Sequence, residues 1–261
     1  MLTPAIHLSE KIASGERVVG IMASDLVAPV LIEVAKKAGL DYIIVDREHG
    51  AFSDESVSEF CRVARIANYP VLIRTISSAP DVIRRTVDLG PCGLLLPNIE
   101  TTEQLDTVAD GILMPPEGRR RPGGPGNYWM RDFQRETWRE EFEKNFIVIP
   151  QIESLRGVEN AEQIAGHTIV TALGVGPYDL SADIGCCWDP ENHEFRAALD
   201  RIRDAGDKSG KKIWIGADVG KYAAEGYSFL WCGTFTSVLG SALSAIVSGA
   251  ASAEKETPPP A

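Results

Sequence analysis

Residues 41–97 read DYIIVDREHGAFSDESVSEFCRVARIANYPVLIRTISSAPDVIRRTVDLGPCGLLLP. Three short runs of Val, Ile and Leu (41–46, 71–75 and 93–97) are separated by two stretches of helical periodicity (54–67 and 81–89). The runs are almost continuously apolar rather than alternating, which marks strands buried on both faces, as in a parallel sheet. Ser53 followed by Asp54 and Glu55 reads as a helix N-cap with acidic first-turn residues.

The same rhythm extends in both directions. Further apolar runs lie at 18–23, 146–153, 171–176, 212–217 and 229–233, and helical segments at 29–38, 102–109, 158–165, 191–209, 219–225 and 236–248. Thr101 with Gln104 matches a capping box at the start of one of these helices. Eight strands, each followed by a helix, predict an α/β fold: a single closed (β/α)8 TIM barrel of parallel strands. An open doubly wound sheet would use fewer strands and a Gly-rich first turn, whereas the first run ends in Met22-Ala23-Ser24-Asp25. The barrel domain is expected over residues 1–251, with a Glu/Pro-rich flexible tail at 252–261. Residues 114–145 form a connection too long for an ordinary loop and carry the basic, Gly/Pro-rich segment 118–126. Such a loop is functional or disordered.

Bulk properties narrow the function. The chain has 261 residues, 44% of them hydrophobic, and a net charge of −11, which disfavours nucleic acid and anionic membranes as partners. No 18-residue apolar run would span a bilayer, and residues 1–15 lack a signal-peptide layout. Five cysteines without CxxC spacing fit reduced, cytoplasmic thiols better than disulfides or zinc. Adjacent Cys186 and Cys187 are read as structural.

In a barrel of this kind, polar residues at the carboxyl ends of strands build the site. Those ends carry Asp46-Arg47-Glu48-His49-Gly50, Arg74-Thr75, Gln151-Ile152-Glu153-Ser154 and, after the sixth run, Gly176-Pro177-Tyr178-Asp179. Burying such groups by folding alone costs several kcal/mol without compensation. Glu153 and Asp179 suit a hard divalent cation, although either alone could pair with an arginine or cap a helix. His49 is a candidate proton shuttle that Asp46 or Glu48 could orient; a structural histidine is the plainer alternative. Arg74 could stabilise a developing oxyanion or simply pair with Asp46 or Glu48. His7, His167 and His193 read as surface residues. A metal, a base and a fixed positive charge together suit enolisation of a 2-oxo acid. No lysine ends a strand, which disfavours a Schiff-base enzyme.

At these residues the chain resembles the pyruvate-dependent class II aldolases typified by 4-hydroxy-2-oxoheptanedioate aldolase and 2-dehydro-3-deoxyglucarate aldolase. The resemblance runs through Asp46 to Gly50, Arg74, Asp88-Leu89-Gly90, Leu94 to Pro97, Pro115 to Arg120, Gln151 to Glu153 and Gly176 to Ser181, in family order. It implies Glu153 and Asp179 as ligands of Mg2+ or Mn2+, with Co2+ a further candidate. It also implies His49 as proton acceptor, Arg74 as transition-state stabiliser, and Gln151 with Tyr178 and Asp179 against the pyruvyl group. Asp88 would raise the basicity of the histidine, and the oligomer would be a hexamer with exchanged terminal helices. Asp88 ends a barrel helix, at the rim opposite the strand ends, so a neighbouring subunit would have to deliver it. Tyr178 stands where a small residue is common in the family, and the Arg119–Arg121 loop is more basic than usual. Arg120 is therefore a candidate clamp for an anionic acceptor, with a solvated loop the alternative.

The expected reaction is reversible cleavage of a 4-hydroxy-2-oxo acid to pyruvate and an aldehyde. The rival is a carbon–carbon lyase acting on a citryl- or malyl-type coenzyme A thioester, which needs basic contacts for the nucleotide. A barrel that binds without turnover is disfavoured by the joint presence of His49, Arg74, Glu153 and Asp179. A phosphate-binding isomerase is disfavoured by the acid in the turn at Asp218.

Overall fold

The structure, a computed structural model, describes residues 2–121, 123–124, 128–187, 189–216 and 218–255, the last five by backbone alone. Part of the Pro/Gly-rich loop (Pro122, Pro125, Gly126), the expected strand end Ala217 and tail residues 256–261 lie outside the described residues. The eight strands are β1 (Val18–Ala23), β2 (Tyr42–Asp46), β3 (Val71–Arg74), β4 (Gly93–Leu96), β5 (Ile147–Ile152), β6 (Leu173–Val175), β7 (Ile213–Gly216) and β8 (Phe229–Thr234). They form a closed barrel in sequence order, parallel throughout, with β8 returning to β1. The fold is a (β/α)8 barrel.

Helices α2 (Val30–Ala38), α3 (Asp54–Ile66), α4 (Pro80–Asp88) and α5 (Thr102–Ile112) follow the first four strands as the apolar spacing requires. Ser53 caps α3 by accepting from the Ser56 N–H (3.2 Å), and the Thr101–Gln104 capping box closes the start of α5. The expected helix at 158–165 is two short ones, α7 (Leu155–Glu159) and α8 (Ala161–Gly166). Asn160 interrupts them because its side chain donates to the Glu100 carbonyl (2.8 Å) rather than facing solvent. Helix α10 (His193–Lys208) and the short α11 (Val219–Ala224) cover the later strands.

Four further elements depart from the sequence reading. An amino-terminal helix, α1 (Thr3–Ser14), buries Pro4, Ala5, Leu8 and Ile12. The long connection after α5 is substantially packed, holding α6 (Arg135–Glu141) and a single 3-10 turn at Glu143–Asn145. Trp138 and Phe142 are buried there because they carry too much apolar area to leave in water. The sixth run, expected at 171–176, is a shorter strand, and Pro177 directly after it starts a helix not expected from the sequence, α9 (Pro177–Ile184). Its ring pre-sets the first helical φ, and Asp179 in the first turn complements the helix dipole. The last helix, α12 (Phe235–Lys255), runs past the expected end at 248, with residues 236–250 exposed throughout. No helix among the described residues is long and apolar enough to cross a membrane. All five cysteines are free thiols.

Inside the barrel, Tyr42 ties three strands together. Its hydroxyl donates to the Leu230 carbonyl (2.6 Å) and accepts from Trp214 Nε1 (2.7 Å). A β-carbon at Gly20 would fall 2.2 Å from the Tyr42 ring, so glycine on β1 makes room for it. Tyr42→Phe leaves a buried carbonyl and an indole N–H unsatisfied, and is expected to lower the unfolding free energy by about 1–3 kcal/mol in urea titrations.

Candidate active site

Register pairs Asp46 on β2 with Arg74 on β3, which sets two oppositely charged groups side by side at the barrel mouth. Asp46, only 1% exposed, accepts from Arg74 Nε (2.9 Å) and Nη2 (2.7 Å). Ser24 Oγ donates to the same carboxylate (2.8 Å), as do the backbone N–H groups of Glu48 (3.0 Å) and His49 (3.3 Å). Burial alone would raise the Asp46 pKa, but its hydrogen bonds and the guanidinium charge outweigh burial and hold it below the ordinary value. Arg74 also meets Glu48 (3.0 Å). Desolvation raises the Glu48 pKa despite that neighbour.

On the other side of the mouth stands Glu153, just past β5. Its Oε2 accepts from the Asn98 N–H (2.8 Å), while Gln151 Nε2 donates to Oε1. A β-carbon at Gly176 would sit 2.1 Å from Glu153 Oε1, so any side chain there would displace the Glu153 carboxylate. Burial, then the fields of Glu48 and Asp179, push the Glu153 carboxyl up to about 7 against an ordinary 4.5, even with the Asn98 N–H and Arg74 pulling it down.

A cavity of about 350 Å3 opens at this mouth, and its wall includes Asp46, His49, Arg74, Gln151, Tyr178 and Asp179. Sequence reasoning missed several of its other residues. Ser24 and Thr234 follow or end strands β1 and β8, and the strand-end rule applied evenly would have found both. Trp214 and Trp231 gave no such signal: they lie within strands and stack at 5.6 Å, forming an apolar wall.

Four expectations need correction. Asp46 does not orient the imidazole of His49: its carboxylate is taken by Arg74, Ser24 and backbone N–H groups. Nor does Glu48 hydrogen-bond it within the chain, since the nearest approach is 3.9 Å and the imidazole is 67% exposed. Arg120 lines no part of the cavity. Its side chain is completely buried (0%), stacked over Trp138 and Phe142 (5.4 and 5.5 Å) and bonded to Asp88 (3.0 Å). Asp88 ends α4, at the rim away from the strand ends, and burial raises its pKa even beside Arg120. His167, expected on the surface, is half-buried and lies 3.2 Å from Asp106.

The donor chemistry fits a hard divalent cation. Glu153 and Asp179 repel one another's charge, which a cation between them would relieve. Among the described residues no three His, Cys, Asp or Glu side chains cluster into a metal cage, so water and substrate would have to complete the coordination. Two buried polar atoms in the wall, Gln151 Oε1 and Trp231 Nε1, lack a partner among the described residues and suit an oxygen-bearing ligand.

Comparison with known proteins decides the family. The model of the HpcH/HpaI aldolase/citrate lyase family matches residues 12–239. The chain belongs to that family. It is a carbon–carbon lyase of the aldolase type. Its relatives include the hydroxypyruvate/pyruvate aldolase of Chromohalobacter salexigens, 31% identical over 79% of this chain and 83% of that protein. The 5-keto-4-deoxy-D-glucarate aldolase of Shigella dysenteriae is 30% identical over 84% of this chain and 87% of its own. Among solved structures, the HpcH/HpaI aldolase of Desulfitobacterium hafniense superposes with a TM-score of 0.83 at 28% identity, covering 96% of this chain and 97% of that one.

The raised Glu153 pKa makes a prediction about this HpcH/HpaI aldolase without metal. A carboxyl that binds its proton more tightly when folded gives stability that is full at acid pH and is lost as pH rises through about 7. In EDTA, Glu153→Gln should therefore melt close to wild type at about pH 5 and on the order of 5 °C higher at about pH 8. Circular dichroism melts read this directly.

Proposed function

We propose that the enzyme reversibly cleaves a 4-hydroxy-2-oxo acid to pyruvate and an aldehyde through a pyruvate enolate. The observation that carries this reading is the cavity lined by Arg74, His49, Gln151 and Asp179, with the Glu153 carboxylate hydrogen-bonded to Gln151 and within the field of Asp179. Relatives named as pyruvate aldolases support it.

A base takes the proton of the C4 hydroxyl, the C3–C4 bond breaks, and its electron pair moves onto the 2-oxo group as the enolate while the aldehyde departs. The enolate then takes a proton at C3 to become pyruvate. His49, exposed at the mouth, is the proton shuttle, directly or through a water. Arg74 is held still by Asp46 and Glu48, so its guanidinium meets the developing oxyanion without reorganising. Gln151 and the chain at Tyr178 and Asp179 contact the pyruvyl group. Glu153 and Asp179 would hold a divalent cation, Mg2+ or Mn2+ with Co2+ as a further candidate, which supplies Lewis acidity toward the 2-oxo and carboxylate oxygens. The coenzyme A thioester alternative keeps fewer basic contacts than the loop promises, because Arg120 is buried on Asp88.

The active form we propose is a homo-oligomer, a hexamer with exchanged carboxyl-terminal helices. Leu239, Leu243 and Ile246 form an exposed apolar stripe on α12, at 58%, 53% and 69% exposure, which a second copy would cover. Asp88 would reach His49 across such an interface, and full activity in a dilute monomer would sink that assignment.

Two measurements test these proposals. Pyruvate methyl protons should exchange in D2O in the presence of Mg2+ or Mn2+; EDTA and Glu153→Ala should abolish exchange, and His49→Ala should slow it by about 10²–10⁴-fold. No exchange under any condition would return weight to the thioester lyase. Leu243→Glu should lower the solution mass in light scattering; an unchanged mass would remove α12 from the interface.

A further inference from the structure

A second cavity, of about 430 Å3, adjoins the catalytic one and shares Pro177 and Tyr178 with it as wall residues. Its size falls within the range of small-molecule sites, about 300–1,000 Å3. It lies at the carboxyl-terminal mouth, between the start of α9, the end of β7 at Gly216 and α11. Tyr178 is itself 46% exposed at this shared wall.

The lining has a definite character. Tyr178, Phe195 and Tyr222 supply aromatic surface. Asp189, Glu191 and Asp218 supply three carboxylates against one cation, Lys221, and Glu191 already pairs with that lysine. Trp188 and Ala217, the neighbouring residues outside the described set, carry no charge. Asp218 caps α11 by accepting from the Lys221 N–H (2.9 Å), and Asp189 accepts from the Glu191 N–H (3.1 Å). A carboxylate has acceptor sites to spare beyond one such bond, and they suit ligand hydroxyls. Aromatic faces pack against the C–H surface of a polyol. The excess negative charge repels a carboxylate.

We propose that this cavity is the acceptor-aldehyde subsite, and that it takes an uncharged, hydroxylated aldehyde in preference to a carboxylate-bearing one. The inference rests on the pyruvate-enolate reading above and adds the substrate class to it. It also reverses the expectation drawn from the Arg119–Arg121 loop, whose central arginine is buried away from the cavity.

The test has two arms, both on the full-length, metal-loaded enzyme. Pyruvate exchange in D2O requires no acceptor and reports the enolate chemistry by itself. Condensation of pyruvate with glyceraldehyde or glycolaldehyde is then compared with condensation with succinic semialdehyde or glyoxylate. Wild type should favour the neutral pair by roughly tenfold or more in kcat/KM. The Asp189→Asn/Asp218→Asn double variant retains both side-chain acceptors, since an Asn carbonyl oxygen can accept the Lys221 and Glu191 N–H groups as the carboxylates do. It should shift that ratio toward the carboxylated pair by about tenfold, a change that a purely structural role would not produce. Absent exchange would overturn the enolate reading, and the subsite with it. Exchange accompanied by a preference for carboxylated aldehydes, by no condensation with any of the four, or by an unchanged ratio in the double variant would overturn the subsite alone.

Discussion

The bidentate pair between Asp46 and Arg74 is the contact on which the mouth of the barrel depends. Both side chains are nearly fully buried, and neither charge could stay there without the other, since an unpaired buried ion costs several kcal/mol. The pair exists because β2 and β3 are registered with these residues opposite each other. Asp46 then gathers the Ser24 hydroxyl after β1 and the N–H groups of Glu48 and His49. Three strand ends and the loop carrying the histidine are thereby tied to one carboxylate. Arg74 is left with a fixed direction, which is what charge stabilisation by preorganised groups needs.

Across the mouth a different constraint operates. Glu153 is tied through the Asn98 N–H and the Gln151 amide, both bonds holding the carboxylate in place while burial and the neighbouring acids disfavour its charge. Room for this arrangement comes from Gly176, where any β-carbon would strike Glu153. Gly216 plays the same part for Trp231, where a β-carbon would sit 2.4 Å from the indole, and so shapes the apolar wall beneath the polar rim. One side of the site is electrostatically satisfied and the other electrostatically stressed. The stressed side is where a cation is proposed.

Beyond the mouth, charge that appears catalytic in the sequence is put to structural use. The basic loop after α5 folds Arg120 inward onto Asp88 and the rings of Trp138 and Phe142, anchoring the long connection to the end of α4. Gly124, with φ +62°, passes so close to Asp88 that a β-carbon would sit 2.7 Å from its carbonyl oxygen. A guanidinium there works as a cross-brace.

The sequence by itself determined the barrel. Continuous Val, Ile and Leu runs separated by helical periods admit few other architectures, because strands buried on both faces must be parallel and covered by helices. It also put Asp46, His49, Arg74, Gln151 and Asp179 at the mouth, where they line the cavity, since the carboxyl ends of barrel strands all face one way. Residues 177–184 were legible only in part: Gly-Pro-Tyr-Asp reads equally as a strand ending or a helix beginning, and packing chose the helix. Trp214, Trp231 and the inward turn of Arg120 were not legible at all. Only the tertiary structure decided these, because whether an indole faces the cavity or an arginine meets an acid 32 residues away depends on which elements become neighbours. Local pattern carries no information about that until the barrel closes.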